Sequence, residues 1–267
     1  MAIDLFAVRS VLFLPASNPR AIARARESAA DLVVLDLEDA VKPEDKDAAR
    51  SAAVEAVAQD WPMPVAIRIN GTASQWHGRD LAAATRCGAD LFVVPRVENR
   101  QELTFVREQC GKPVAAMIET ARGVLAAATV TQDCAALIAG TNDLRADLHL
   151  PLDSTREPIS ASLQWIVLAA RAAGIAVFDG VYNKLTDLDG LAAECAEGRR
   201  LGFDGKSLIH PDQIETCNRA FAPGEAEVAR AKHLVEAFSG GAERFEDAMI
   251  ERMHVDAAQR VLARAGR

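Results

Sequence analysis

Acidic side chains follow three apolar runs of the sequence, at the point where each run ends. Asp36, Glu38 and Asp39 end the run DLVVLDLED, Glu119 ends VAAMIE, and Asp143 follows ALIAGTN. Carboxylates gathered at one pocket repel one another, and a hard divalent cation would offset that repulsion by accepting oxygen ligands. The pattern therefore predicts a metal-assisted site, although an acidic residue at the start of a helix also serves as a cap without doing chemistry.

Magnesium is the cation that these side chains favour. Mg²⁺ takes one or two protein carboxylates and leaves positions for substrate oxygens, which is compatible with Glu119 and Asp143 on adjacent strands. Zinc would require histidine or cysteine ligands, which these run ends largely lack. A structural hydrogen bond is the alternative role for Glu119.

Arg68 lies inside the β-branched run VAIRIN, so its guanidinium must be paired at the end of a buried strand. Bidentate capture of a substrate carboxylate is one use for it. A structural salt bridge to Asp36 or Glu38 is the other. His210, at the end of the last run, is expected to act as a structural cap.

Eight short apolar runs alternate with helical segments along the chain. The runs lie at residues 10–15, 31–40, 65–70, 90–97, 114–120, 136–141, 175–182 and 206–211, and helical segments at 19–30, 43–59, 76–88, 99–110, 156–173 and 187–201. Eight such units predict an α/β fold, a (β/α)8 TIM barrel whose catalytic groups stand at the carboxyl ends of the strands. A doubly wound open sheet is the alternative, but the first βα turn reads PASNPR rather than GxGxxG.

The pattern changes after Phe221, which divides the chain into a barrel domain at 1–221 and a C-terminal helical arm at 222–267. We expect a helix at 225–238, a Ser-Gly-Gly break at 239–241 and no further strand. Because a lone helix is marginal in water, the arm should pack on its own barrel or on a neighbouring subunit.

Composition limits the binding partners and the cellular compartment expected for the protein. The formal net charge of −8 leaves no basic footprint for nucleic acid. No apolar run approaches the roughly 20 residues that span a bilayer, and there is no signal-like start. Five cysteines without metal-type spacing suggest reduced thiols, so a cytoplasmic protein is expected.

Eight phrases of the chain resemble, in order, the citrate lyase beta subunit-like branch of the HpcH/HpaI aldolase/citrate lyase superfamily, whose relatives include malyl- and citramalyl-coenzyme A lyases. They are RSVLFLPASNP (9–19), DLVVLDLEDAVKPEDKDAAR (31–50), VAIRIN (65–70), LFVVPRVE (91–98), IETARGV (118–124), AGTNDLRADLH (139–149), FDGVYNKLTDLDGL (178–191) and LGFDGKSLIHPDQIETCNRAF (201–221). The resemblance covers about residues 9–221 and implies a Mg²⁺-dependent carbon–carbon lyase on a TIM barrel.

The same resemblance assigns roles to the acidic residues and to Arg68. Glu119 and Asp143 would be the Mg²⁺ ligands, Arg68 would hold the substrate carboxylate, and Glu38 with Asp39 would order metal-bound water. The implied reaction cleaves a 3-hydroxy-acyl thioester of citryl, citramalyl or malyl type into an acyl thioester and a 2-oxo acid. Arg9 and Arg20, which flank the first strand, are candidates to contact coenzyme A phosphates, with surface solvation as the alternative.

Family members that act on coenzyme A thioesters end in a phrase like GKMIDRP, whose aspartate reaches into a neighbouring subunit's site. This chain reads DAMIERM at 247–253, so Glu251 stands in place of that aspartate. A homotrimer with Glu251 as a catalytic residue acting in trans follows from the resemblance. An exposed, solvated Glu251 is the alternative.

Several functions remain open on these grounds. The chain could be a stand-alone acyl-coenzyme A lyase or the beta subunit of a citrate lyase complex that uses an acyl carrier protein. It could also be a divalent-metal aldolase on free hydroxy-oxo acids, or a scaffold subunit without activity.

Overall fold

The computed structural model describes residues 3–266, which form two compact units, one ending at Asn218 and the other beginning at Arg219. The first unit contains a closed barrel of eight parallel strands in sequential order, β1 to β8, in which β8 pairs with β1. The strands are Ser10–Pro15, Leu32–Asp36, Val65–Arg68, Leu91–Val94, Val114–Ile118, Ala136–Ala139, Ala176–Asp179 and Gly205–Leu208. The predicted TIM barrel is confirmed, and the open sheet is excluded because the last strand returns to the first.

Eleven α-helices, α1 to α11 in chain order, occur among the described residues. They are Pro19–Arg26, Lys46–Val57, His77–Ala84, Arg100–Cys110, Ala121–Val130, Thr141–Asp147, Ser160–Ala173, Leu188–Leu201, Ile214–Phe221, Glu225–Ala237 and Arg252–Ala265. Between residues 3 and 266 no helix combines the length and the apolar character that a membrane crossing needs.

Strand alternation places one set of side chains inside the barrel and the other against the helices. Val11 and Phe13 of β1, Val34 of β2 and Phe178 of β7 belong to the buried cluster that fills the interior. The strands are apolar on both faces, as expected for a parallel sheet covered by helices.

The strands end earlier than the apolar runs suggest, and β2 shows why. The Asp36 carboxylate accepts hydrogen bonds from the backbone N–H groups of Glu38 and Ala40, at 2.9 and 3.0 Å. These bonds turn the chain directly after the strand. Glu38 and Asp39 therefore stand on a tight loop at the carboxyl end of β2.

The second unit contains a β-hairpin, so the expectation of no strand after Phe221 is wrong. Strands β9 (Glu243–Phe245) and β10 (Ala248–Ile250) pair antiparallel around a two-residue turn in which Glu246 has φ = 53°. Three-residue strands are too short to show an alternating pattern in sequence. Helices α10 and α11 of this unit pack against each other, and the hairpin's Phe245 makes an edge contact with His233 of α10.

A buried charge cluster joins β7 and β8 to α8 on the outer side of the barrel. The Lys206 ammonium lies 2.9 Å from Asp179 and 2.6 Å from Glu194, and its side chain is fully buried. Arg156 adds a second cation 2.7 Å from Asp179. Burial alone would raise the pKa of Asp179, but Lys206 and Arg156 hold that pKa below its usual value.

Replacing Lys206 with methionine keeps the side-chain length but leaves Asp179 and Glu194 with a single shared cation. We expect the free energy of unfolding to fall by about 3–5 kcal/mol, as when one partner of a buried pair is removed. Urea unfolding measures this. Arg79→Ala is the matched control, since its ion pair with Asp47 is two-thirds exposed and should contribute less than about 1 kcal/mol. Equal losses in the two variants would contradict the role of the buried cluster.

Candidate active site

A cavity of about 390 Å³ lies at the carboxyl ends of the barrel strands. Polar side chains from five strand ends reach it, among them Asp36, Asp39, Arg68, Glu119, Asp143 and Ser207. Its apolar walls come from Phe13, Leu14, Met117, Val181 and Ile209. The cavity therefore stands where enzymes built on this fold place their chemistry.

Arg68, at the end of β3, is a buried cation held by two carboxylates. Its Nε and Nη2 donate to the two oxygens of Asp36, each at 2.6 Å, and its Nη1 lies 2.9 Å from a Glu38 oxygen. The guanidinium also lies 5.4 Å from the centre of the Phe13 ring. Burial alone would lower the pKa of Arg68, but Asp36 and Glu38 raise it above its ordinary value, so the charge is fixed.

The bidentate Nε–Nη2 edge of Arg68 is therefore paired with Asp36. This is the structural salt bridge that the sequence left open as an alternative. Arg68 still lines the cavity, and its Nη1 lies 3.6 Å from the Met117 sulfur. Contact with a substrate oxygen can therefore come only from the remaining N–H groups, not from the Nε–Nη2 edge.

Glu38 and Asp39 occupy the same loop but different environments. Burial raises the pKa of Glu38 to about 7 although Arg68 opposes the shift, and Asp39 and Glu119 add to it. Asp39 is exposed and lines the cavity directly. The loop is held by Lys46, whose ammonium donates to the carbonyls of Leu37 and Glu38, both at 2.7 Å.

Glu119, which directly follows β5, is enclosed by backbone. Only 2% of its surface is exposed, and one carboxylate oxygen accepts the N–H of Arg96 at 2.7 Å. A Cβ added to Gly140 would lie 2.3 Å from both the Cβ and the other oxygen of Glu119, so only glycine fits there. Burial, followed by the charge of Asp143, raises the pKa of Glu119 to about 7.

Asp143 lies in the first turn of α6, directly after β6. Its side chain is about one-third exposed, and one oxygen lies 3.5 Å from Nη1 of Arg96. Burial and then Asp39 raise the pKa of Asp143. Arg96 thus contacts both carboxylates: its backbone N–H donates to Glu119, and its guanidinium lies near Asp143. The backbone of Arg96 is in the left-handed region, with φ = 52°.

The donor set fits a hard cation with few protein ligands. Among residues 3–266 no cluster of three or more histidine, cysteine or acidic side chains could hold a metal ion. Two carboxylates whose pKa values are raised by burial and by neighbouring carboxylates, in a cavity with room for water, match the needs of Mg²⁺. They do not match those of zinc.

Arg9 and Arg20, the two arginines expected near the coenzyme A phosphates, lie in different parts of the barrel. Arg9 precedes β1 and donates to Asp31 through Nε and Nη2, at 2.8 and 3.0 Å. It lies at the amino end of the barrel, opposite the cavity, so its assignment as a substrate contact is wrong. Arg20 is exposed in the first turn of α1, on the side of the barrel where β1 ends and the cavity opens.

Glu251 belongs to the second unit, where it is half-buried and directly precedes α11. Its N–H donates to Nδ1 of His254 at 3.0 Å. Its role toward a neighbouring subunit remains a prediction. His210 is the structural cap that the sequence indicates, because its Nδ1 accepts the N–H of Asp212 at 3.2 Å.

Sequence reasoning missed two residues of the site. Lys46 holds the loop of Glu38, and its position on the buried helical face shared with Ala49 and Ala53 was a usable signal. Ser207 reaches the cavity from β8. A lone hydroxyl inside the strand-like run KSLIHP was a sequence signal that could have identified it.

Replacing Arg68 with lysine tests the pairing at the mouth. One ammonium cannot reproduce the two parallel bonds to Asp36 and also reach Glu38, so the free energy of unfolding should fall by about 1.5–3 kcal/mol. Urea unfolding is the measurement, and kcat/KM should fall in the same variant. Arg96→Lys is the control, with a change below about 0.5 kcal/mol at its half-exposed side chain. An unaltered stability of Arg68→Lys would refute the structural pairing.

Comparisons with known proteins agree on one family. The model of the HpcH/HpaI aldolase/citrate lyase family matches residues 9–211. A (3S)-malyl-CoA thioesterase of Cereibacter sphaeroides (strain ATCC 17029 / ATH 2.4.9) is 37% identical, over 99% of this chain and 97% of the relative. The citrate lyase subunit beta of Leuconostoc mesenteroides subsp. cremoris is 34% identical, over 95% and 92%.

A solved structure shows the same architecture. The protein CitE from Mycobacterium tuberculosis, in complex with magnesium, acetoacetate and coenzyme A, superposes with a TM-score of 0.87 at 30% identity, covering 98% of this chain and all of that one. The matched segment carries each strand end that lines the cavity. By fold, by matched length and by the residues at its barrel mouth, this chain belongs to the HpcH/HpaI aldolase/citrate lyase family.

Proposed function

We propose that this enzyme is a magnesium-dependent carbon–carbon lyase that cleaves a 3-hydroxy-acyl thioester to an acyl thioester and a 2-oxo acid. The observation that carries the proposal is the meeting of Glu119, Asp143 and Arg68 in one cavity at the carboxyl end of the barrel. Two carboxylates with raised pKa values favour a cation, and the CitE relative was solved with magnesium. Membership in a family of aldolases and lyases supports the reaction type.

The space around the cavity supports a thioester rather than a free acid. A neighbouring cavity of about 530 Å³ shares Thr141, Asn142 and Val181 with the first, and another of about 410 Å³ shares Asp39. A small hydroxy-oxo acid needs only the central space, whereas a long acyl carrier arm needs a groove leading out. Coenzyme A in the CitE relative is consistent with this use.

The chemistry we assign is a retro-Claisen cleavage. Glu119 and Asp143 would hold the magnesium ion, which would supply the Lewis-acid chemistry that lowers the pKa of the substrate hydroxyl. Asp39, which lines the cavity, accepts the hydroxyl proton through water that Glu38 helps to order. The carbon–carbon bond then breaks, its electron pair passes to the thioester enolate, and the fixed charge of Arg68 stabilises the enolate oxygen. Protonation of the enolate carbon yields the acyl thioester.

Hydrolysis of the thioester is a second candidate reaction. The identity of 37% with a (3S)-malyl-CoA thioesterase over nearly the whole chain favours it. Hydrolysis would release a free thiol and a hydroxy acid, whereas lyase chemistry releases a 2-oxo acid and leaves the thioester intact. The two reactions are therefore separable by their products.

The decisive experiment incubates the purified protein and Mg²⁺ with malyl-, citramalyl- and citryl-coenzyme A. Lyase activity appears as 2-oxo acid, detected as a hydrazone, without free thiol. Thiol release without 2-oxo acid would replace the lyase proposal with hydrolysis. Activity on the free hydroxy-oxo acids alone would favour the aldolase, and no turnover of any substrate would favour a scaffold or a subunit that needs an acyl carrier protein.

Removing charge from either proposed metal ligand should abolish Mg²⁺-dependent turnover. For Glu119→Gln and Asp143→Asn we expect a loss of at least about 100-fold in kcat, because a ligand charge is lost. The melting temperature should stay within about 2 °C of the parent value, since neither carboxylate pairs with a buried cation. Asp47→Asn is the control, because Asp47 is an exposed carboxylate that does not line the cavity. Parent-like activity and Mg²⁺ affinity in either ligand variant would show that the metal assignment is wrong.

We also propose that the enzyme is a cytoplasmic homotrimer in which the C-terminal arm supplies Glu251 to a neighbouring subunit. The support is the Glu251 position in the DAMIERM phrase, which resembles the family's trans-acting aspartate. In this role Glu251 donates the proton to the enolate carbon.

Mixed oligomers test the trans role of Glu251. Subunits carrying Glu251→Gln and subunits carrying Glu119→Gln are each expected to be inactive, and their mixture should regain activity in hybrids that contain one intact site. Subunit exchange is followed by mass spectrometry of differently tagged chains. Full exchange without any regained activity would leave Glu251 as a surface residue.

A further inference from the structure

Arg96, on the loop after β4, places a positive charge beside the two proposed metal ligands. Its backbone N–H donates to one Glu119 oxygen at 2.7 Å, and its Nη1 lies 3.5 Å from an Asp143 oxygen. The charge of Arg68, which lines the cavity, is already met by two other carboxylates. Arg96 and a metal ion would therefore compete for the carboxylate of Asp143.

The backbone conformation of Arg96 shows that the hydrogen bond to Glu119 does not by itself explain an arginine here. A φ of 52° is in the left-handed region, which is strained for a residue with a Cβ. Glycine would adopt this conformation without strain and would donate the same N–H to Glu119. What glycine would lack is the guanidinium beside Asp143.

The guanidinium, which is half-exposed, has a second space beside it. Arg96 lines the cavity of about 410 Å³ next to the central one, together with four carboxylates, those of Glu38, Asp39, Glu98 and Glu102. The other cation of this second cavity, Lys46, is buried and donates to backbone carbonyl groups. The second cavity therefore holds more negative than positive charge, and a guanidinium that leaves Asp143 can turn into it.

We infer that Arg96 is a positioning residue of the metal site and acts as an exchangeable counterion. Its guanidinium neutralises Asp143 until Mg²⁺ takes that carboxylate, and it then turns into the second cavity. The inference rests on the metal assignment of the proposed function. Because each binding event has to break the pair between Arg96 and Asp143, the affinity for Mg²⁺ is lower than the two carboxylates alone would give.

Isothermal titration calorimetry of the intact protein with MgCl₂, in the absence of substrate, tests this exchange. Arg96→Gln removes the charge and keeps a polar side chain, so Mg²⁺ should bind about three- to tenfold more tightly. Arg96→Lys keeps the charge and should stay within about twofold of the parent affinity. Arg79→Gln is the matched control, because it removes the same charge beside Asp47, which does not line the cavity.

Arg96→Gly separates the backbone of this residue from its side chain. Glycine fits the left-handed backbone and keeps the N–H that Glu119 accepts, so the melting temperature should not fall. Mg²⁺ should bind as tightly as in Arg96→Gln, because the guanidinium is gone in both variants. A merely structural role of the side chain would instead lower the melting temperature or weaken Mg²⁺ binding.

Three outcomes would overturn the inference. They are parent-like or weaker Mg²⁺ binding in Arg96→Gln, equal tightening in Arg96→Lys, and equal tightening in Arg79→Gln. The expected order of affinities without turnover of any thioester would support the exchange and overturn only the lyase proposal. Turnover by the parent with an unaltered Mg²⁺ affinity in Arg96→Gln would do the reverse. A parent that binds no Mg²⁺ would overturn the metal assignment and the inference together.

Discussion

The ion pair between Arg68 and Asp36 fixes the geometry of the barrel mouth. Asp36 ends β2, Arg68 ends β3, and the two side chains meet through two parallel hydrogen bonds at 2.6 Å. The same Asp36 carboxylate accepts the backbone N–H groups that turn the chain toward Asp39. One carboxylate therefore orients a cation and shapes the loop that carries two further acidic residues.

Around this pair, the site concentrates negative charge with little protein charge to offset it. Burial, followed by repulsion from neighbouring carboxylates, raises the pKa values of Glu38, Glu119 and Asp143. Glu119 is held by a backbone donor, the N–H of Arg96, whereas Glu38 meets Arg68 at 2.9 Å and Asp143 meets Arg96 at 3.5 Å. An environment of this kind binds a divalent cation because the cation relieves a repulsion that the fold has already imposed.

Much of the fold could be read from the sequence because its strands are buried on both faces and end in polar residues. The eight apolar runs, their order and the gathering of Glu119 and Asp143 follow from that pattern and from the common orientation of parallel strands. The sequence could not predict which carboxylate each arginine pairs with, since that depends on which side chains meet across neighbouring strands. The fork of Arg68 on Asp36 and the pairing of Arg9 with Asp31 are of this kind. The hairpin at 243–250 was missed because its three-residue strands are too short to show a recognisable alternation.

The contact between Gly140 and Glu119 also bears on how the pocket can be redesigned. Any side chain at position 140 would collide with the carboxylate that the site depends on, so this position is closed to diversification. Val181, Ile209 and Leu14 line the same cavity without pairing to a charged group, and they can vary in size independently of the acidic cluster. A mutant library aimed at new acyl groups should therefore keep glycine 140 constant and randomise those three wall positions.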